Sequence, residues 1–190
     1  CFAYISSFIF YFLVVHIKNQ KDKDNLYSYI SGKTYVIINQ AKELIKNISK
    51  AANVTLTEEY PNENELKDIC LSINPNTKAP LLLNRIDNFA NWIQYFNINS
   101  IKSKESITRI CSKIQYLDSE FIYKLARIED CGYYFHISSL LTIPIISSDI
   151  SFLNSLFADY FELIKDLENY YKKNLKEYSK NKTIKMKRKK

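Results

Sequence analysis

The sequence predicts an all-α protein: a membrane-anchoring N-terminal helix followed by an antiparallel helical bundle with long, coiled-coil-like helices. Three observations carry that prediction. Apolar residues recur three and four apart through most of the 190 residues, the spacing of one face of a helix. No stretch alternates with period two for long enough to argue for a sheet. Only two glycines occur, Gly32 and Gly132. That is too few for the tight turns and phosphate approaches of Rossmann folds, P-loop enzymes or glycine-punctuated barrels. With 46% hydrophobic and 25% charged residues, the chain can bury a core and is not wholly disordered.

Residues 1–17 carry no charged side chain when His16 is neutral. As a helix they span about 25 Å, slightly short of the roughly 30 Å of a bilayer core. The chain does not begin with Met, so the residues before Cys1 are expected to complete a transmembrane helix. Lys18, Lys21 and Lys23 follow directly, which by the positive-inside rule predicts a single-pass membrane protein with the bulk of the chain cytoplasmic. Residues 18–24 read as a charged linker, and residues 25–179 as the helical bundle domain.

The bundle opens with Tyr27, Ile30, Thr34, Ile37, Ala41, Leu44, Ile48 and Ala51, a helical seam widened by Ile38 and Ile45. Gly32 interrupts it at a cost of about 1 kcal/mol relative to Ala, so the first turns are expected to start beyond it. Ser31-Gly32-Lys33-Thr34 imitates the end of a Walker motif. Tyr27 occupies the position where that motif needs its upstream glycine, so no phosphate cradle forms there. Residues 52–62 read as a loop. Asn62 then caps a helix whose Glu65 returns to the cap, carrying Leu66, Ile69, Cys70 and Ile73 and stopping at Asn74-Pro75-Asn76.

A short helix is expected from about Pro80 to Phe96, with Asn84, Arg85, Asp87, Asn88 and Asn91 on its solvent face or along a polar groove. Ile107, Ile110, Ile114, Leu117, Phe121, Leu125 and Ile128 then form one unbroken stripe. Residues from Cys131 to Pro144 read as an apolar connection, after which Ser147, Ser148 or Asp149 caps the last helix. That helix carries Leu153, Phe157, Tyr160, Ile164, Leu167, Tyr171, Leu175 and Tyr178, a coiled-coil-like seam. Leu153, Tyr160, Ile164 and Leu167 are expected in the core or an interface. Leu167→Ala should therefore cost far more than Glu168→Ala.

The chemistry-bearing residues are sparse. Cys1, Cys70, Cys111 and Cys131 form no C-x-x-C pair, which argues against a structural zinc site, and the last three fall in helical apolar patterns as reduced core thiols. Neither His16 nor His136 has Glu three residues before it, as a di-iron bundle requires. Glu129, Asp130, Cys131 and His136 form no one-faced cluster, because positions 131 and 136 fall on different faces of a helix. No serine or cysteine has a plausible local base. The expectation is a protein that is not an enzyme and has no cofactor, metal or small-molecule substrate.

The charge is concentrated at the carboxyl end. Residues 180–190 hold seven basic residues and no acid; the other 20 basic residues equal the 20 acids in number. This segment reads as a disordered polybasic tail, with Lys185, Lys187, Arg188, Lys189 and Lys190 as the residues that would meet an anionic partner. The functional expectation is a membrane-anchored interaction or scaffold module that meets a protein partner or itself through its heptad seams. The alternative is a nucleic-acid-binding or anionic-lipid-binding protein acting through the tail. No motif identifies a family.

Overall fold

The computed structural model describes residues 2–12, 17–84 and 87–179. The chain is mostly helical, as expected. In order it forms α1 (Phe2–Tyr11), α2 (Ile17–Ala52), α3 (Glu63–Ser72), β1 (Lys78–Leu82), β2 (Phe89–Asn91), α4 (Trp92–Cys111), α5 (Ser119–Glu129), α6 (Gly132–Leu140) and α7 (Asn154–Tyr170). A π-helical turn, Tyr171–Leu175, extends α7.

Helix α1 has 10 residues and is therefore about 15 Å long, half of a hydrocarbon core. The next helix, α2, carries Lys18, Lys21, Asp22, Lys23 and Asp24 in its first turns. Among the described residues no helix is long and apolar enough to cross a membrane. That finding overturns the single-pass span expected over residues 1–17 and the cytoplasmic placement that rested on it. The expected linker, 18–24, is part of α2, and Gly32 lies inside that helix rather than before it.

The seam of α2 is buried: Ile30, Ile37, Ala41, Leu44 and Ile48 all lie in the core, while Ala51 is exposed. Its buried hydroxyls are satisfied locally. Thr34 donates to the Ile30 carbonyl and Ser31 to the Leu175 carbonyl, each at 2.9 Å. Helix α2 packs on α3, α4 and α7, while α7 also meets α3, α5 and α6. An aromatic cluster joins these elements: Tyr133 stacks on Tyr160 with centroids 4.6 Å apart, and Phe96 meets Phe157 edge-on at 5.1 Å. Tyr133 and Tyr134 stay buried because their hydroxyls donate to the Phe96 carbonyl and to Ser103 Oγ. Leu153, Tyr160, Ile164 and Leu167 are core residues, as the periodicity predicts.

Three segments differ from expectation. Lys78–Leu82 and Phe89–Asn91 pair as antiparallel strands rather than opening a helix, with Lys78 opposite Asn91 and Leu82 opposite Phe89; Arg85 lies outside the described residues. Asn91 then caps α4: its side chain accepts from Gln94 N, and Gln94 Oε1 accepts from Asn91 N. The stripe from Ile107 to Ile128 is broken between α4 and α5, leaving Ile114 exposed. Asp118 restarts the chain by accepting from the Phe121 amide at 2.9 Å. The connection after Cys131 is largely helix α6, which buries Tyr133, Tyr134 and Ile137. None of Ser147, Ser148 and Asp149 caps α7, whose N-cap position is Leu153 with no side-chain cap; Asp149 instead accepts from the Ser151 amide at 2.9 Å, ahead of the short turn that leads into the helix.

Candidate functional site

The candidate surface is organised by α7 and by a strap, residues 53–62, that crosses beside it. Helix α2 ends where Asn53 enters the left-handed region at φ 59, a conformation asparagine tolerates better than most residues. The Val54 amide closes that end on the Ser49 carbonyl at 3.0 Å. The far end of the strap is held by the expected capping box: Asn62 Oδ1 accepts from Glu65 N, and the Glu65 carboxylate accepts from the amides of Asn62 and Thr57. Those amide bonds hold the Glu65 carboxyl below its ordinary pKa.

The middle of the strap is tied to α7 by a polar cluster. Tyr60 donates to Glu168 Oε2 at 2.7 Å, and Lys42 of α2 donates to Glu168 Oε1 at 2.5 Å and to Glu59 Oε1 at 2.6 Å. Lys172 adds a third donor, 2.9 Å from the same Glu168 oxygen. Glu168 is only 6% exposed. Burial by itself pushes its carboxyl up, but the bonds from Lys42, Lys172 and Tyr60 outweigh burial and hold it at about 2. Burial, with Glu168 beside it, raises the Tyr60 hydroxyl far above its ordinary value. Each of these side chains has a partner in the cluster, which ties the strap to α7.

Two grooves flank this tie. The smaller, about 470 Å³, is lined by Tyr35, Lys42, Glu59, Lys172, Lys176 and Ser179. The larger, about 920 Å³, lies between the strap, α3, α5 and α7. Tyr60, Pro61, Leu66, Phe161 and Leu163 supply its apolar part. Its rim carries Glu58, Glu63, Asp159 and Glu162, all exposed, and none makes an ion pair among the described residues. Asp166, also on the rim, is bound by Lys124 at 2.8 Å. Arg127 and Lys165 are the groove's cations, Arg127 lying 5.7 Å from the Tyr123 ring centre. A contiguous depression of about 420 Å³ shares Asp159, Glu162 and Leu163 and adds Asp130. The arrangement suits a positively charged ligand with apolar side chains.

Most of the residues singled out from sequence lie elsewhere. Lys185, Lys187, Arg188, Lys189 and Lys190 fall outside the described residues, as does Cys1. Cys70 and Cys131 are buried and Cys111 half-buried. Burial pushes the Cys70 thiol up to about 12, with the Asp149 charge adding to it, and also raises Cys111 and Cys131. His136 is exposed on α6 while Cys131 is buried at its start, so the two are not brought together. Asn84, Asp87 and Asn88 are exposed in the hairpin turn. The groove carboxylates were missed although a signal existed: Asp159, Glu162 and Asp166 recur at helical spacing beside the buried seam. No family model, no curated protein and no solved structure matches the chain.

Proposed function

We propose that this chain is a non-enzymatic helical interaction module that holds a basic peptide segment in the acidic groove beside α7. The observation that carries the reading is the groove itself, where four carboxylates with no ion pair among the described residues rim an apolar floor. Exposed carboxylates without partners attract cations through solvent, and the apolar floor offers burial to the stems of Lys and Arg. The titratable groups nearby fit binding better than turnover: Glu168 is locked by its donors and the described thiols are held up in pKa by burial.

The test is fluorescence anisotropy with a labelled oligolysine peptide, on the full chain and on an Asp159→Lys/Glu162→Lys variant. Each exposed charge contact is worth about 0.2–1 kcal/mol, so reversing two charges should weaken binding by about tenfold or more, and added salt should weaken the wild type. Peptide affinity indifferent to the reversal would sink the groove reading. Binding of single-stranded DNA that the groove reversal leaves untouched and that is lost on neutralising Lys185, Lys187, Arg188, Lys189 and Lys190 would favour the nucleic-acid alternative instead.

A further inference from the structure

Resting on that reading of the groove, we propose that the chain supplies its own occupant: the basic segment 180–190 seats in the acidic groove and competes with any partner's basic peptide. Three observations converge. The first is charge complementarity. Residues 180–190 hold seven cations and no acid, against Glu58, Glu63, Asp159 and Glu162, which have no ion-pair partner among the described residues. The remainder of the chain is balanced, 20 basic against 20 acidic residues, so no net charge repels the segment.

The second is where the segment begins. Ser179 lines the small groove together with Glu59, and the next strap residue, Tyr60, lines the acidic groove. The third is reach. Returning from Ser179 to the level of Glu162 requires about 25 Å along the helix and to that of Asp159 about 30 Å, and an eleven-residue segment extends to about 35 Å. Met186 and Ile184 are the segment's sizeable apolar groups, and Leu66, Phe161 and Leu163 offer them an apolar floor. The seating is electrostatic at its rim, so salt or a polyanion that takes the segment would open the groove.

An intramolecular segment acts at an effective concentration on the order of 1 mM. If its intrinsic dissociation constant is about a tenth of that, an external peptide binds the full chain about tenfold more weakly than a chain with the segment neutralised. The experiment compares labelled oligolysine binding to the full chain and to the full-length variant Lys185→Gln, Lys187→Gln, Arg188→Gln, Lys189→Gln, Lys190→Gln. About tenfold tighter binding to the neutralised variant, abolished by adding Asp159→Lys and Glu162→Lys, is the expected result. Equal affinity for the two chains, still weakened by the groove reversal, overturns self-occupancy and leaves the groove reading standing. Indifference to the groove reversal in both chains overturns the groove reading itself. A second measurement needs no variant. Carbodiimide coupling of the wild type should join Lys185, Lys187 or Lys189 to Glu58, Asp159 or Glu162 within monomers. Coupling confined to dimers, or spread evenly over all exposed carboxylates, overturns seating within one chain.

Discussion

Replacing Glu168 by Gln tests the tie between the strap and α7 most directly. The substitution keeps the shape and an oxygen for the Tyr60 hydroxyl, but it removes the charge that Lys42 and Lys172 approach at 2.5 Å and 2.9 Å. A charge-assisted hydrogen bond contributes about 1.5–3 kcal/mol. Orphaning a buried ion costs about 3–5 kcal/mol. Lys42 retains Glu59 at 2.6 Å and Lys172 is exposed, so the lower range applies, and the expected loss is about 2 kcal/mol at neutral pH. For a domain of this size that lowers Tm by about 4–8 °C. The pH dependence fixes the cause. The folded-state pKa of Glu168, about 2, lies below its ordinary 4.5. Its stabilisation is therefore complete above about pH 4.5 and is lost as pH falls through about 2. Urea unfolding of both proteins from pH 7 to pH 2 should show the gap closing at the acid end, other carboxylates cancelling in the comparison. A gap constant over that range would refute the assignment of the effect to the carboxylate charge.

The remaining expectations concern packing and backbone. Gly32 sits in α2 without positive φ, and a methyl group there meets nothing within 4 Å, so Gly32→Ala should stabilise by about 0.5–1 kcal/mol. Gly132→Ala should bring no such gain, because its Cβ would lie 2.8 Å from Leu156 Cδ2; the reverse order in thermal melts would contradict both readings. Leu167→Ala, at a fully buried site, should cost about 2–5 kcal/mol, while exposed Lys173→Ala should stay within about 0.5 kcal/mol; equal urea midpoints would mean the seam is not core. Under native conditions a thiol reagent should modify half-buried Cys111 before Cys70 or Cys131, and peptide mapping that follows these three thiols separately checks the order.

Long seams were legible from spacing because burial on one helix face leaves a period of three and four. Ile30 to Ile48 on α2, and Leu153 to Leu175 along α7 and its extension, lie where the pattern puts them. The Asn62 box was legible because cap and return residue are three apart. The hairpin was not. Leu81, Leu82 and Leu83 satisfy a helical and an extended period alike, and the choice was made by Ala79 and Ala90, whose small side chains are buried in the sheet. The break at residues 112–118 hid for a related reason: Ile114 and Leu117 keep the apolar spacing although Ile114 faces solvent. The sequence makes Glu168 the inexpensive substitution beside Leu167, whereas the structure buries it. Its burial depends on Lys42 and Tyr60, more than one hundred residues away in sequence, and no local pattern carries that information.

The carboxylates of α7 divide into two kinds, and burial makes the division. Glu168 is enclosed, so its charge is stable only with donors supplied by α2, the strap and its own helix. Asp159 and Glu162 are exposed, keep their hydration and need no protein partner. The enclosed one therefore spends its charge inside the fold, while the exposed ones project theirs into the groove. The strap that walls the groove is held at three places: Asn53 at its start, Tyr60 on Glu168 at its middle, and the Asn62–Glu65 box at its end. A wall fixed before binding removes part of the ordering cost that a peptide would otherwise meet. The Glu168 tie thus bears on the proposed docking without touching the ligand, by holding Tyr60, and with it the strap, as part of the groove that Asp159 and Glu162 also line.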